Sequence, residues 1–380
     1  MDMRGLNALL PAIRSRREEI EQARRMPRDL IEDIRKTGVF GLGIPKSLGG
    51  EEAPPTEMMR AIEMVASADG STGWCTMIAA ANNTVAGFMN EVGAKEVFAD
   101  PTLPNAGIAA PAGTAVRVDG GIRISGRWPF ASGITHVDWV FAGAIVMENG
   151  QPKMTPQGPE IVHAFMPVSE VEIHDTWYVS GLCGTGSNDF SVSDLFVPEQ
   201  RVFALFDPSG RRPEPLYQMP LVVGFACQLA AVSLGIARGA LDELTELAAT
   251  KVPTMSMVPL ADKPVAQVEL ARAEAALGGA RSFLYEIVEE LYDTLSLGDF
   301  PTMRQTALGR IACINAVETG ATVARTANTV AGGSSLYSKS SMQRHGRDAE
   351  AVTHHFTVAP HVWEDAGRVL LGRAPTTPVF

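Results

Sequence analysis

Hydrophobic and polar positions divide the chain into three zones of different periodicity. In residues 1–103, apolar residues such as Ile13, Ile20 and Leu30 recur at helical spacing among charged ones. A glycine-rich turn over 41–50 interrupts this pattern. A very apolar helix is predicted over 74–88, after a loop at 69–72 that supplies capping residues. The first zone therefore predicts a helical domain.

The second zone, residues 104–207, alternates short β-like runs with turn signals. An Asp-Gly-Gly turn at 119–121 joins two alternating runs, 116–118 and 122–125, which is the pattern of a β-hairpin. Further strands are predicted over 139–147 and 190–197. Strands that recur about every ten residues favour a small barrel or sandwich.

The third zone, residues 208–380, returns to long helical patterns. Four helices are predicted, over 221–249, 265–295, 303–331 and 342–371. Helices of this length favour an antiparallel four-helix bundle. The predicted fold is thus α+β and mostly helical, with domains over 1–103, 104–207 and 208–380.

Composition narrows the possible functions. The 380 residues are 46% hydrophobic and 20% charged, as in a soluble globular protein. A net charge of −11 without a Lys/Arg run argues against nucleic acid. No signal peptide is evident, and apolar stretches such as 221–234 are broken by Gly and Gln, so no membrane segment is expected. Four scattered cysteines without a CxxC motif indicate reduced thiols in the cytoplasm and no metal site.

Five stretches, in this order along the chain, resemble the acyl-CoA dehydrogenase superfamily. They read GVFGLGIPKSLGG at 38–50, ADGSTGW at 68–74, GRWPFASGITHVDW at 126–139, WYVSGLCGTGSNDFSVSDLFVP at 177–198 and QRHGRDAEAVTHH at 343–355. Within that superfamily, GSTGW, FASG and the Arg-Asp pair followed by histidine are most similar to the flavin-dependent monooxygenases. These are the oxygenase components of phenol hydroxylases made of two proteins.

This resemblance implies the fold described above and a specific chemistry. A separate reductase would deliver reduced flavin, either FMN or FAD, and oxygen would add to it as a C4a-hydroperoxide. One oxygen atom would then pass to a small aromatic or polycyclic substrate. Members of the superfamily are commonly tetramers, which implies a homotetramer here.

The resemblance also assigns two catalytic residues. His355 stands where the monooxygenases have a histidine that accepts a proton from the substrate or donates a hydrogen bond to the oxygenated flavin. The dehydrogenases commonly carry a glutamate base near this point, whereas here no carboxylate lies between Glu350 and Glu364. Ser132 matches a serine that binds the substrate oxygen. The alternatives are a packing histidine and a turn serine, and His354 is a structural residue or a register alternative.

Four further residues are expected near the flavin. Trp74 and Trp128 either stack on the flavin ring or pack in the core. Asn82 and Ala164 stand where related phenol hydroxylases have a histidine and a serine near the flavin. These two departures bear on the lifetime of the oxygenated flavin and not on the fold.

Glycine-rich segments form the last group of candidates. Lys251 replaces an arginine-rich stretch that holds the flavin phosphate in relatives, and Gly332 and Gly333 match a turn that approaches the flavin tail from a neighbouring subunit. Helix breaking alone also explains this Gly pair. In the GTGSN stretch at 184–188, Gly184 and Gly186 are interpreted as part of a strand turn, and a phosphate cradle that includes Ser187 is the alternative.

Two other functions remain open from the sequence. The first is an acyl-CoA dehydrogenase or related flavin oxidase, which would hold FAD tightly and be reduced by an acyl thioester. The second is a binding protein that kept the fold, which would not retain flavin.

Overall fold

The N-terminal domain is helical, as predicted. The structure is a computed structural model that describes residues 1–156, 158–377 and 380. Helix α5 ends earlier than the predicted 74–88 helix and continues as a 3-10 turn over Thr84–Phe88. The helices are α1 Met3–Ser15, α2 Arg17–Ala23, α3 Arg28–Arg35, α4 Pro55–Ala68, α5 Gly70–Asn83 and α6 Glu91–Val97.

The β domain is built on one mixed sheet. The strands are β1 Ala106–Val118, β2 Gly121–Ala131, β3 Trp139–Glu148, β4 Gln151–Pro152, β5 Met154–Thr155, β6 Gly158–Pro159, β7 Ile161–Pro167, β8 Glu172–His174, β9 Asn188–Pro198 and β10 Val202–Phe203. Their order is β10-β7-β3-β1-β2-β9-β8, with β4 paired to β3, and β5 and β6 form a separate pair. Only β1 and β3 run parallel among the described pairs. The predicted hairpin is β1–β2, and the sheet ends at β10 and β8.

The C-terminal domain confirms three of the four predicted helices to within one residue at each end. Its helices are α7 Pro215–Gln218, α8 Leu221–Thr250, α9 Pro264–Ser296, α10 Met303–Ala331, α11 Ser341–Thr353 and α12 His361–Leu370. The single helix predicted over 342–371 is wrong, because the chain leaves the helical conformation between Thr353 and His361. Ala359 is extended, with φ −75° and ψ 160°, as expected for the residue before Pro360.

Helix α8 is the centre of the bundle. By length and composition it could cross a membrane, but 78% of its most apolar window is buried inside the protein, as in a core helix. Helices α4, α5 and α8 approach closely at Ala66. A Cβ atom on Gly73 would lie 2.4 Å from the Cβ of Ala66, and one on Gly235 would lie 2.6 Å from it. Gly73 lets α5 pack closely on α4, and Gly235 lets α4 pack directly on the bundle.

A buried carboxylate joins the last helices to the β domain. Asp348 of α11 accepts a 2.6 Å hydrogen bond from the backbone N–H of Leu182. Asp69, which caps α5 by accepting a 2.8 Å bond from the N–H of Thr72, is also buried. Burial, with a smaller contribution from the charge of Asp69, raises the pKa of Asp348 to about 7.

We predict that Asp348→Asn makes the protein more stable than the wild type at pH 8. Because the folded-state pKa is raised to about 7 from 3.8, the folded protein keeps this proton longer than the unfolded chain. Stability therefore falls as pH rises from about 4 to 7. Asparagine still accepts the Leu182 N–H but does not ionise.

The measurement is the free energy of unfolding by urea at pH 5 and pH 8. From pH 5 to pH 8, we expect the free energy of unfolding of the variant to rise by at least about 1 kcal/mol relative to that of wild type. The control is Glu350→Gln on the same helix, whose exposed carboxylate pairs with Arg325. Equal pH dependence of Asp348→Asn and wild type would contradict the prediction.

Candidate active site

His355 lies in the break between α11 and α12, within a group of aromatic rings. Its ring centroid is 6.0 Å from that of Trp74, 5.3 Å from that of Phe225 and 4.9 Å from that of Phe356. The ring of Phe225, near the start of α8, is stacked on the imidazole at 29°. Burial lowers the pKa of His355 to about 4, so the imidazole is neutral at neutral pH.

Hydrogen bonding selects the tautomer of this imidazole. The backbone N–H of Thr357 donates to Nδ1 of His355 at 3.3 Å, and the Thr357 hydroxyl lies 2.9 Å from the same atom. Since Nδ1 accepts a hydrogen bond, the neutral ring carries its proton on Nε2. Nε2 has no hydrogen-bond partner within the described residues, so its N–H is free to meet a ligand.

Ser132 connects to His355 through Trp74. The indole N–H of Trp74 donates to Oγ of Ser132 at 3.0 Å. Trp74 comes from α5, Ser132 from the turn after β2 and His355 from the C-terminal domain, so the three domains meet at this point. The structure therefore brings together both predicted catalytic residues and one predicted flavin neighbour.

A line of buried hydroxyl groups continues from Ser132 into the β domain. Oγ of Ser132 lies 2.7 Å from Oγ of Ser187, which lies 2.7 Å from Oγ1 of Thr185. The Thr185 hydroxyl donates to the carbonyl of Leu182 at 2.8 Å. From the sequence, Ser187 is a candidate only as part of the alternative phosphate cradle in GTGSN, and no sequence signal points to Thr185.

The two tryptophans have different environments. Trp128 is fully buried, with its ring stacked on Phe190 at 5.2 Å and its N–H donated to the carbonyl of Gly143 at 2.8 Å. This placement favours the packing alternative for Trp128. The exposed aromatic ring near this point is that of Phe130, in the FASG motif. Phe130 is 65% exposed, has φ +68° and contacts Trp177 edge-on, with the ring centroids 6.2 Å apart.

Asn82 and Ala164 are both buried. The side-chain amide of Asn82, in α5, donates to the carbonyl of Asn105 at 3.3 Å. Ala164 is fully buried in β7, paired with Ala142 of β3, and belongs to the apolar core of the β domain. Their predicted position beside the flavin stays a prediction.

Lys251, Gly332 and Gly333 come together at the other end of the bundle. The Lys251 ammonium donates to the carbonyl of Ala331, at the end of α10, and Gly332 has φ +61°. Lys251 follows the last residue of α8, while Phe225 lies near the first. At 1.5 Å per residue these two positions are about 39 Å apart along the helix. This group and His355 therefore lie at opposite ends of the bundle.

The glycines of GTGSN serve the turn. Gly186 has φ +54°, and a Cβ on Gly184 would lie 2.1 Å from Cγ2 of Ile20. Both observations favour the turn interpretation over a phosphate cradle.

The residues around Ser132 and His355 fit a flavin. The exposed ring of Phe130, held edge-on against Trp177, offers an apolar surface, and His355 offers a free N–H. Gln228, one turn after Phe225 on α8, has a buried Oε1 without a hydrogen-bond partner among the described residues. An N–H group of a ligand would satisfy this acceptor.

Comparisons with known proteins identify the family of this chain. The family model "Acyl-CoA dehydrogenase, N-terminal domain" matches residues 11–99, and "Acyl-CoA dehydrogenase, C-terminal domain" matches residues 227–360. Indole-3-acetate monooxygenase of Pseudomonas putida is 36% identical over 377 residues, which cover 98% of this chain and 94% of that protein.

Two further relatives extend the comparison. The oxygenase subunit HsaA of a flavin-dependent monooxygenase from Rhodococcus jostii is 33% identical over 78% of each chain. The structure of XiaF from Streptomyces in complex with FADH2 and glycerol superposes with a TM-score of 0.91 and 26% identity, over 99% of this chain and 96% of that one. The chain belongs to the flavin-dependent monooxygenases of the acyl-CoA dehydrogenase superfamily.

Proposed function

We propose that this protein is the oxygenase component of a two-component monooxygenase. A separate reductase supplies reduced FMN or FAD, and one atom of O2 is added to a small aromatic or polycyclic substrate. The relatives' names include indole-3-acetate monooxygenase and a resorcinol hydroxylase, which supports an aromatic substrate. The observation that carries the proposal is a neutral imidazole with a free Nε2–H inside a group of aromatic rings.

The geometry favours one of the two roles considered for His355. Reduced flavin supplies the electrons that activate O2. Nε2 of His355 already carries the proton, and Nδ1 is occupied by the N–H of Thr357, so the ring is a hydrogen-bond donor and not a base at neutral pH. Trp74 and Phe225 shield the imidazole on two sides, which strengthens a hydrogen bond donated by Nε2. Ser132 anchors the substrate beside it.

A dehydrogenase is less well supported. Removing an α-proton from a thioester requires a positioned base. Asp348 is buried and accepts the N–H of Leu182, and Glu350 is exposed and pairs with Arg325. Neither carboxylate is placed as a base beside His355.

We also propose that the active unit is a homotetramer in the cytoplasm. The 39 Å spacing supports a shared site, in which Lys251, Gly332 and Gly333 of one copy hold the flavin tail of another. Three of the four free cysteines are buried and Cys183 is half-buried, which is compatible with a reducing compartment.

The first test measures oxygen consumption and product formation with chemically reduced flavin and an aromatic substrate such as indole-3-acetate. We expect His355→Ala to lower the product formed per O2 consumed at least about tenfold, because the N–H donor is lost. His355→Gln keeps an N–H donor and should retain part of the yield. The yield in wild type should not follow an imidazole titration between pH 6 and 8, since the pKa is about 4.

The matched control is His354→Ala, because His354 is adjacent and exposed. It should match wild type in yield. Oxygen lost entirely to hydrogen peroxide with every aromatic compound, unchanged in His355→Ala, would contradict the proposed function. A loss of yield in His354→Ala alone would contradict the assignment of His355.

A second test examines the shared site. His355→Ala removes the imidazole of this site, and Lys251→Ala removes the ammonium group proposed to hold the flavin tail. If the two parts come from different copies, protein refolded or coexpressed from both variants contains some sites with neither change. We expect mixed oligomers to regain up to about a quarter of wild-type activity. Activity no higher than that of the separate variants would contradict the shared site.

A further inference from the structure

The line of hydroxyl groups beside the candidate active site ends in two different kinds of group. One can only donate a hydrogen bond and the other can only accept one. At one end the indole N–H of Trp74 can only donate, and it lies 3.0 Å from Oγ of Ser132. At the other end the carbonyl of Leu182 can only accept, and it lies 2.8 Å from Oγ1 of Thr185. Ser132, Ser187 and Thr185 occupy the positions between them.

Only one arrangement of the hydroxyl protons satisfies every hydrogen bond in this line. The Thr185 hydroxyl must donate to the Leu182 carbonyl, so its oxygen accepts from Ser187. Because Ser187 donates its hydroxyl proton to Thr185, its oxygen accepts a hydrogen bond from the hydroxyl of Ser132. The proton of Ser132 therefore points away from Trp74 and into the β domain, and its oxygen has one lone pair left.

The surrounding structure holds this order in place. The Leu182 carbonyl also accepts the indole N–H of Trp177 at 3.1 Å and the backbone N–H of Thr185 at 3.2 Å, so it is fully occupied as an acceptor. The N–H of Leu182 is bound by Asp348, and the carbonyl of Thr185 accepts the N–H of Gly133 at 2.9 Å. The three hydroxyl side chains are 6% exposed or less. Water cannot easily reorient a line so deeply buried.

We propose that Ser187 and Thr185 are positioning residues that make Ser132 an acceptor toward the substrate. The site then selects aromatic compounds that present an O–H or N–H group to Ser132. It disfavours compounds whose polar atom at that point can only accept, because two acceptors would face each other without a proton. This inference rests on the proposed function and specifies its substrate class.

The test compares two bicyclic probes, indole, which has an N–H donor, and isoquinoline, whose nitrogen only accepts at pH 8. Their Kd values are measured by calorimetry on the complex with reduced flavin, without oxygen. Wild type should bind indole at least about tenfold more tightly than isoquinoline. Ser187→Ala frees the Ser132 proton and should bring this ratio close to one.

Ser187→Thr is the matched control, since it keeps a hydroxyl at that position and should keep the ratio. Thr185→Val is a second variant of nearly equal volume. It removes the acceptor of Ser187, which can then donate to Ser132, and should also lower the ratio. Unchanged melting temperature and flavin affinity show that the variants are folded.

Two results would overturn the inference while leaving the proposed function intact. One is equal binding of the two probes by a wild-type protein that hydroxylates aromatic compounds. The other is a ratio that stays unchanged in both Ser187→Ala and Thr185→Val. Absence of any aromatic binding or oxygenation by wild type would instead overturn the proposed function and this inference with it.

Discussion

The hydrogen bond from the indole of Trp74 to the oxygen of Ser132 is the contact on which the site depends. Trp74 is carried by α5, whose position is set by the close approach of Gly73 to Ala66. Its ring also contacts the imidazole of His355. Because these three side chains come from three domains, packing between domains fixes the distance between the substrate anchor and the imidazole.

Much of the fold could be predicted from the sequence, because helical periodicity is strong over three long helices and a polar turn marks the β1–β2 hairpin. The break in the helix at His355 could not be predicted, because the apolar periodicity of 342–371 continues through it and only Ala359–Pro360 gives a local signal. Trp128 and Phe130 show a second limit. The pairing of β2 with β9 shifts register between Trp128 and Ala131, which turns Phe130 outward where simple alternation does not predict it.

The candidate site was predictable only as far as its residue types. The resemblance to the monooxygenases named His355 and Ser132, and the structure places both near Trp74. The roles of their protons could not be predicted, because they depend on partners distant in sequence. Ser132 is 58 positions from Trp74 and 55 from Ser187. The state of His355 depends on burial and on a single N–H, neither of which a motif encodes.

The bond between Asp348 and Leu182 has an evolutionary consequence. It connects α11, the helix that precedes His355, to Leu182, whose carbonyl accepts the last hydroxyl of the line. The polar groups of the site are therefore held in one hydrogen-bonded network. A mutation that moves one of them disturbs the others. Divergence toward new substrates is therefore easier through the apolar walls, such as Phe225 and Phe130, than through the polar centre. We expect homologous enzymes to vary in the size of these walls while the hydrogen-bonding groups between Trp74 and Leu182 stay the same.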